Sequence, residues 1–191
     1  MFLKVLNADL EKSFLNIQDL QHPYIAMTQI KPLSINIKPC ECLWVKGDNG
    51  SGKSTFLKLI SGILPATFGH IELFAKITYL GPELGMKMDA THADYQQFIM
   101  KLGAKCTSEL SKKRELNSFS SGQKLNIRLQ AALRSDRPLW ILDEPTRFLD
   151  SKSEAVLWGR IRQHCDGGGA AVIASHAPVT PLIPGCKLLQ F

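Results

Sequence analysis

The sequence has no apolar run long enough to cross a membrane, because none reaches the roughly 18–20 residues that a transmembrane helix needs. Its first residues form neither a signal peptide nor an Arg- and Ser-rich transit peptide. Cysteine is scarce: the five cysteines are odd in number and scattered, which argues against a disulfide framework and favours a reducing compartment. Cys40-x-Cys42 has no second Cys or His pair at zinc spacing. We therefore expect any membrane association to occur through partners.

The sequence also has only a small excess of positive over negative charge. Lys plus Arg is 23 and Asp plus Glu is 17, so the net charge is only +6. Such an excess fits a nucleic acid, a nucleotide phosphate or an anionic membrane face equally well. The basic triplet Lys112-Lys113-Arg114 has no interleaved aromatics, so we interpret it as a solvated run and expect no nucleic-acid partner.

The length of 191 residues and the apolar content of 45% suit one domain with a sizeable core, which we expect to span residues 1–191. Residues 139–142 and 170–174 are solidly apolar, which is typical of strands buried on both faces of a parallel sheet. The alternation of strands and helices predicts an α/β fold with a helical insertion at about residues 81–133. Residues 17–31 are less regular, and no helix or strand is assigned to them. The predicted strands lie at 2–6, 33–37, 42–45, 71–74, 77–80, 139–142 and 170–174, with 71–74 and 77–80 forming a pair, and the predicted helices at 53–64 and 153–164.

A glycine-rich loop between an apolar strand and a helix matches G-x-x-x-x-G-K-[ST] at every fixed position. Glycine lets successive backbone N–H groups turn toward phosphate oxygens, and the helix that follows adds its positive end beneath them. In this motif Lys53 reaches the β- and γ-phosphates and the Ser54 hydroxyl coordinates Mg²⁺. The sequence therefore predicts a nucleoside triphosphate site. The candidate ATP-binding residues are Gly47, Asp48, Asn49, Gly50, Ser51, Gly52, Lys53, Ser54 and Thr55.

Two carboxylates, Asp143 and Glu144, follow directly after the apolar strand at residues 139–142. In P-loop folds such a strand lies near the phosphate loop, and its terminal Asp holds Mg²⁺. A second carboxylate beside it is able to position or deprotonate an attacking water. We therefore predict that Asp143 is a metal residue and Glu144 a catalytic residue.

A third motif, Phe119-Ser120-Ser121-Gly122-Gln123, precedes an apolar-periodic helix, and Ser175-His176 follows the strand at residues 170–174. Together with the phosphate loop and the acidic strand, in this order, the sequence resembles the ATP-binding-cassette (ABC) ATPases. The signature of that family is Leu-Ser-Gly-Gly-Gln, so this chain departs from it at Phe119 and Ser121. By itself, Ser120 with Gly122 is equally a helix-capping turn. The resemblance implies an N-terminal antiparallel β part beside the parallel core sheet.

The resemblance further implies a head-to-tail, ATP-dependent homodimer in which each ATP lies between the phosphate loop of one subunit and the signature of the other. Glu144 would be the general base, and His176 would contact the γ-phosphate and the attacking water. Leu149-Asp150 matches the end of the family's dimer-contact loop, whereas Arg147-Phe148 replaces the usual Ser-Ala. The signature residues that would meet the partner's ATP are Ser120, Ser121, Gly122 and Gln123.

Two further family positions are occupied differently or remain open. The glutamine that contacts Mg²⁺ in the family is replaced, in the alignment that we favour, by Glu83, which is otherwise a surface acid. A carboxylate also ligates Mg²⁺, so we retain Glu83 as a candidate metal residue. Phe14 and Tyr24 are both candidates for the aromatic residue that stacks on adenine.

Within the family, residues 77–87 and the region from Ser120 to Pro145 resemble the haem-exporter ATPase of cytochrome c maturation (Ccm). That resemblance implies Mg²⁺ and ATP as cofactors and an integral-membrane permease as partner. It also implies a peripheral location on the cytoplasmic side of the inner (plasma) membrane. Two alternatives remain: an ATP-dependent assembly module with little turnover, motivated by the departures from the family motifs, and the ATPase of another small-substrate ABC exporter.

Overall fold

The computed structural model describes residues 13–23, 31–81, 136–147, 149–176, 178–179 and 182–191, together with residues 129 and 133. The strand expected at residues 2–6, almost all of the insertion at 81–133, Glu83 and the signature motif lie outside the described residues. Within the described part, eight strands and two longer helices follow one another along the chain. They are β1 (Leu15–Gln21), β2 (Leu33–Ile37), β3 (Cys42–Lys46), α1 (Lys53–Ile60), β4 (Phe68–Leu73), β5 (Ile77–Leu80), β6 (Leu139–Asp143), α2 (Ser151–Asp166), β7 (Ala170–Ala174) and β8 (Lys187–Gln190).

The main sheet has five strands in the order β5-β6-β7-β3-β8, and every neighbouring pair is parallel. All residues of β6 and β7 are buried, which explains why both strands are apolar without alternation, except for Asp143 at the end of β6. Helix α1 packs on one face of this sheet and α2 on the other. The predicted α/β fold with a mostly parallel core sheet is therefore confirmed.

A second sheet has three antiparallel strands in the order β2-β1-β4. Most of its central strand, β1, lies in residues 17–31, for which no element was predicted. Both ladders shift register near Asp19, where the backbone reaches φ 48°. This sheet closes over the α1 side of the core, because Leu15, Ile17 and Leu20 are buried together with residues of α1.

The expected pairing of residues 71–74 with 77–80 is wrong. β4 pairs with β1 in the antiparallel sheet, whereas β5 pairs with β6 in the parallel sheet. The short connection between them takes the chain from one sheet to the other: the Phe74 amide still donates to the Phe14 carbonyl at 3.0 Å, and the Leu139 amide donates to the Lys76 carbonyl. Neighbouring short strands resemble a hairpin in sequence, but burial of Leu80 against the main sheet favours the crossover.

The core lies on both faces of β6. Leu139 and Ile141 belong to the cluster under α1, and Trp140 and Leu142 belong to the cluster under α2. Successive residues of a strand point to opposite faces, so one five-residue strand connects the two halves of the core. Among the described residues, none of the helices combines the length and the apolar character needed to cross a membrane.

Residues next to the helix ends explain where α1 and α2 begin and end. α1 begins after Gly52, at φ 98°, and stops before Ser61 and Gly62, which is four residues earlier than predicted. α2 extends beyond the predicted residues 153–164 at both ends, and Asp150 caps its earlier start by accepting a hydrogen bond from the Ser153 amide at 2.7 Å. This hydrogen bond lowers the pKa of Asp150.

Phe56→Ala should lower the free energy of unfolding by about 3–5 kcal/mol, because this ring is fully buried between α1 and the sheet and its removal leaves a cavity. Urea denaturation followed by circular dichroism measures the change. Phe68→Ala is the matched control, since Phe68 is 64% exposed on β4, and its effect should stay below about 1 kcal/mol. Equal losses in the two variants would contradict this description of the core.

Candidate nucleotide-binding site

The glycine-rich loop connects the end of β3 to the start of α1, as the sequence predicts. Gly50 and Gly52 have φ values of 80° and 98°, in the left-handed region where a side chain is disfavoured. Gly47 has no room for a Cβ, which would lie 2.9 Å from the Phe191 carbonyl oxygen. The glycines of the motif are therefore required by the conformation of the loop and by its close contact with the end of the chain.

The Lys53 side chain lies across the base of this loop. Its Nζ donates hydrogen bonds to the carbonyl oxygens of Gly47 and Asp48, both at 2.8 Å. Only 7% of Lys53 is exposed, which is uncommon for a lysine. The structure thus holds a positive charge at the first turn of α1, where the helix end contributes its own partial positive charge.

Asp143 ends β6 and is 2% exposed. Burial raises the pKa of this carboxyl, opposed by the hydrogen bond with Ser54 and then by the charge of Lys53. Its Oδ2 atom is buried and makes no hydrogen bond with any residue of the described part of the chain. A buried carboxylate oxygen that lacks a partner, beside a serine hydroxyl, is a donor set that suits a hard cation such as Mg²⁺.

Glu144 and His176 come together because they follow neighbouring parallel strands, β6 and β7. His176 Nε2 lies 3.4 Å from Glu144 Oε1, and the two side chains are 48% and 24% exposed respectively. The Glu144 amide donates to the Ala174 carbonyl at 2.9 Å, and Glu144 has φ 48°, which is uncommon for a residue other than glycine. On the next strand, Trp44 Nε1 donates to the Ser175 carbonyl at 2.9 Å and fixes the backbone just before His176.

These groups surround one cavity of about 280 Å³. Most of the residues expected in the nucleotide site contribute to it, while Gly47 and Asp48 accept the Lys53 hydrogen bonds below it. The chemistry of the cavity is that of an anion site with a cation-binding carboxylate at one side and a carboxylate–imidazole pair at its edge. The lining consists of Asn49, Gly50, Ser51, Gly52, Lys53, Ser54, Thr55, Asp143, Glu144, Arg147 and His176.

Sequence reasoning missed two contributors to this site. Arg147 lines the cavity, whereas its sequence position marked it only as a departure from the family loop. The sequence did contain a signal: Arg147 follows Glu144 by three positions, which is the spacing of a turn. In the structure the Arg147 amide donates to the Glu144 carbonyl, and this turn brings residue 147 back toward the site. Phe191 was also missed: its amide donates to the Lys46 carbonyl at 2.7 Å, and its ring packs on Phe56 with the centroids 5.5 Å apart.

The structure does not bring every candidate residue to the cavity. Leu149 packs partly buried against the α2 side of the core, and Asp150 caps α2. Phe14 packs against the core under α1, and Tyr24 lies outside the described residues. The signature residues Ser120, Ser121, Gly122 and Gln123, together with Glu83, also lie outside them, so their roles stay predictions.

Comparison with solved structures places the fold among ATP-binding cassettes. The ATP-binding cassette MJ0796, in a dimeric post-hydrolysis state bound to ADP and Pi, superimposes with a TM-score of 0.76 over 93% of this chain and 94% of that chain, at 18% identity. An ABC transporter ATP-binding protein from Pyrococcus furiosus gives a TM-score of 0.72 at 22% identity, covering 92% of this chain and 96% of that one. At these identities the likeness concerns the fold.

Sequence comparison gives the family. Residues 30–147 match the family model described as ABC transporter. The cytochrome c biogenesis ATP-binding export protein CcmA of Mesorhizobium japonicum is 34% identical over 160 residues, covering 73% of this chain and 80% of that protein. The CcmA of Paracoccus denitrificans is 31% identical over 188 residues, covering 93% and 89%. With a triphosphate-type loop, a terminal carboxylate pair and these relatives, the chain belongs to the ABC transporter family, as an ATPase cassette.

Proposed function

We propose that this chain is the ATP-hydrolysing subunit of a membrane transporter complex that energises a haem-delivery or export step in cytochrome c biogenesis. The observation that carries the ATPase part is a cavity lined by the phosphate loop together with Asp143, Glu144 and His176. The transport part is supported by relatives named as cytochrome c biogenesis export proteins, which match most of the chain.

The loop binds the triphosphate of ATP. Backbone N–H groups of residues 47–52 and the positive end of α1 face the phosphate oxygens, and Lys53 adds a full positive charge. Because Lys53 is already held by two loop carbonyls, little side-chain entropy remains to be lost when the nucleotide arrives. Arg147 contributes a second positive charge at the edge of the same cavity.

Ser54 and Asp143 would hold Mg²⁺ between the loop and β6, with Glu83 as a further candidate from the sequence. The bound ion would neutralise phosphate charge during transfer. The fit rests on the buried Asp143 Oδ2, which has no partner among the described residues and lies on a carboxyl hydrogen-bonded to Ser54. In the absence of a cation the carboxylate is poorly solvated, and a cation there would compensate that cost.

In this proposal Glu144 accepts the proton of an attacking water, and His176 contacts the γ-phosphate and that water. The distance of 3.4 Å between His176 Nε2 and Glu144 Oε1 lets one water or phosphate oxygen approach both groups. Glu144 is partly exposed at the mouth of the cavity, whereas Asp143 is buried at its side. Two adjacent carboxylates thus take two different roles because their surroundings differ.

A second copy of the chain would complete the site. The signature residues Ser120, Ser121, Gly122 and Gln123 of the partner would cover the γ-phosphate, with Leu149 and Asp150 in the dimer contact. ATP bound between two subunits favours the closed dimer over the open one, because its charge is shared by both. Opening after hydrolysis would move an integral-membrane permease, through which the chain is held at the cytoplasmic side of the inner membrane.

One observation favours a second candidate, an ATP-dependent assembly module with little turnover. Arg147 places an additional positive charge in the cavity, where it attracts ATP and retains the anionic products equally well. Phosphate release by the purified chain with its permease separates the two candidates. Turnover that stays at background in that complex would favour the assembly module.

Glu144→Gln should lower ATP turnover by at least about 100-fold while leaving ATP binding intact, because the amide cannot accept the proton of the attacking water. The same variant should form a stable dimer in the presence of ATP. Phosphate release measures turnover, and size-exclusion chromatography with and without ATP measures the dimer.

Glu154→Gln is the matched control for that experiment. Glu154 lies on α2 and accepts a hydrogen bond from Trp158 Nε1 at 3.1 Å, which an amide oxygen also accepts. This variant should hydrolyse ATP at the parent rate. A Glu144→Gln protein that also turns over at the parent rate would remove Glu144 from the proposed mechanism.

Asp143→Asn should make the nucleotide-free protein more stable at pH 7 while lowering Mg²⁺-dependent turnover by at least about 100-fold. Burial raises the pKa of Asp143, so the folded state binds its proton more tightly than the unfolded chain does. The ionised carboxylate therefore costs stability at neutral pH; this cost decreases as the pH falls through the raised pKa of the folded state and is gone once the pH lies below the ordinary value of 3.8. The stability gain of the variant should shrink over the same pH range.

Thermal unfolding between pH 3.5 and 7 measures this difference. Asp166→Asn is the control, because that carboxylate is exposed at the end of α2 and lies 3.6 Å from Arg162. Its thermal midpoint and turnover should follow those of the parent. If Asp143→Asn were less stable than the parent at pH 7, the charge of Asp143 would have to be compensated by the protein itself and not by a bound cation.

A further inference from the structure

Three cysteines meet at the end of the main sheet opposite to the nucleotide cavity. Cys42 is the first residue of β3, Cys186 immediately precedes β8, and Cys165 lies in the last turn of α2. All three pack in or against the core cluster under α2. The phosphate loop leaves β3 at its other end, so these thiols have no place in the mechanism above.

Cys42 and Cys186 are neighbours across a parallel ladder. β3 and β8 pair with Leu43 opposite Lys187, which places residue 42 opposite residue 186, one step before the ladder. Their sulfur atoms lie 3.1 Å apart and share a hydrogen bond. Adjacent strands run about 4.8 Å apart, within the range of about 4.4–6.8 Å that disulfides span between Cα atoms. A covalent bond between the two sulfurs therefore needs no change of register.

The two thiols differ in access and in acidity. Cys42 is 3% exposed, whereas Cys186 is partly exposed. The shared hydrogen bond, together with burial, raises the pKa of Cys42, and the same hydrogen bond lowers the pKa of Cys186. A reagent from solvent thus meets Cys186 first, and Cys186 is the more acidic thiol of the two, with Cys42 directly behind it.

We propose that Cys42 and Cys186 form a redox-active dithiol site whose substrates are small-molecule disulfides. The Cys186 thiolate attacks one sulfur of the disulfide, which forms a mixed disulfide and releases one thiolate. Cys42 loses its proton to solvent and attacks the Cys186 sulfur, which forms the Cys42–Cys186 bond and releases the second thiolate. The dithiol loses two electrons, and the small disulfide is reduced to two thiols.

Oxidation would tie β8 covalently to β3 along the ladder that supports the phosphate loop. The far end of β8 leads to Phe191, which donates to the Lys46 carbonyl and packs on Phe56. The new bond lies at the opposite end of β3 and leaves the nucleotide cavity open. We therefore expect oxidation to raise the thermal midpoint by about 5 °C or more without blocking nucleotide binding.

The experiment treats the full chain with glutathione disulfide and maps its peptides without reduction. The expected product is a peptide pair linking Cys42 to Cys186 in most of the chains, which dithiothreitol reverses. Cys40→Ser is the matched control: Cys40 is exposed, and serine has nearly the same shape as cysteine, so the φ of 66° costs both residues alike and the link should form as in the parent. Cys186→Ser should form no such link and show no oxidation-dependent rise in its thermal midpoint.

Peptide mapping of the parent keeps the test decisive even if Cys186→Ser folds poorly. A stable glutathione adduct on Cys186 with Cys42 still free would overturn the proposal. A link that joins Cys42 or Cys186 to Cys165 or Cys40 instead would do the same. A parent whose thermal midpoint falls on forming the Cys42–Cys186 bond would overturn its proposed effect on the ladder.

Discussion

The register shared by β6, β7 and β3 is the constraint on which the nucleotide site depends. Asp143 pairs with Ala174, and Ala174 pairs with Val45, so one row of the parallel sheet crosses three strands. The residues just beyond this row are Glu144, then Ser175 and His176, then the first residues of the phosphate loop. A slip of one residue in β6 would exchange the side chains packed under α1 with those packed under α2, including Trp140, so the packing on both faces of the strand holds this alignment in place.

The same burial creates an electrostatic cost that the fold does not remove by itself. Asp143 lies at the end of a strand with no exposed residue, and one of its oxygens has no partner in the described part of the chain. Lys53 is nearby, but its ammonium is engaged by two loop carbonyls. When no cation is bound, the charge of this carboxylate is poorly compensated. Binding a cation together with a phosphate chain therefore gains more free energy, because the cation compensates the carboxylate and the phosphate charges at once.

Local features of the sequence were sufficient for the elements whose signals are local. The glycines at positions 47, 50 and 52 are required by close contact or by left-handed backbone, and the apolar runs of β6 and β7 reflect burial on both faces. The phosphate loop, the carboxylate pair and His176 could therefore be predicted to share one edge of a sheet. The signature motif rests on resemblance, and its position stays a prediction.

Other features depend on partners that are distant in sequence, and local patterns did not predict them. β4 and β5 look like a hairpin, yet each finds its partner elsewhere, in β1 and β6. β8 is a four-residue edge strand with three exposed residues, so it lacks the apolar character of its neighbours. The proximity of Cys42 to Cys186 follows only from the pairing of that strand with β3, across 144 positions of the chain.

β8 supports the base of the phosphate loop, a role that its sequence does not indicate. In the described part of the chain it pairs with β3 alone, yet Phe191 at its end fills the space beneath Gly47 and contacts Phe56. Edge strands open more readily than central ones, because one side of the strand lacks ladder hydrogen bonds. The base of the phosphate loop thus packs against the end of an edge strand, which among the described residues is held by hydrogen bonds on one side only. The edge of the sheet, far from the cavity, is therefore connected to the loop by backbone pairing that involves no contact with nucleotide.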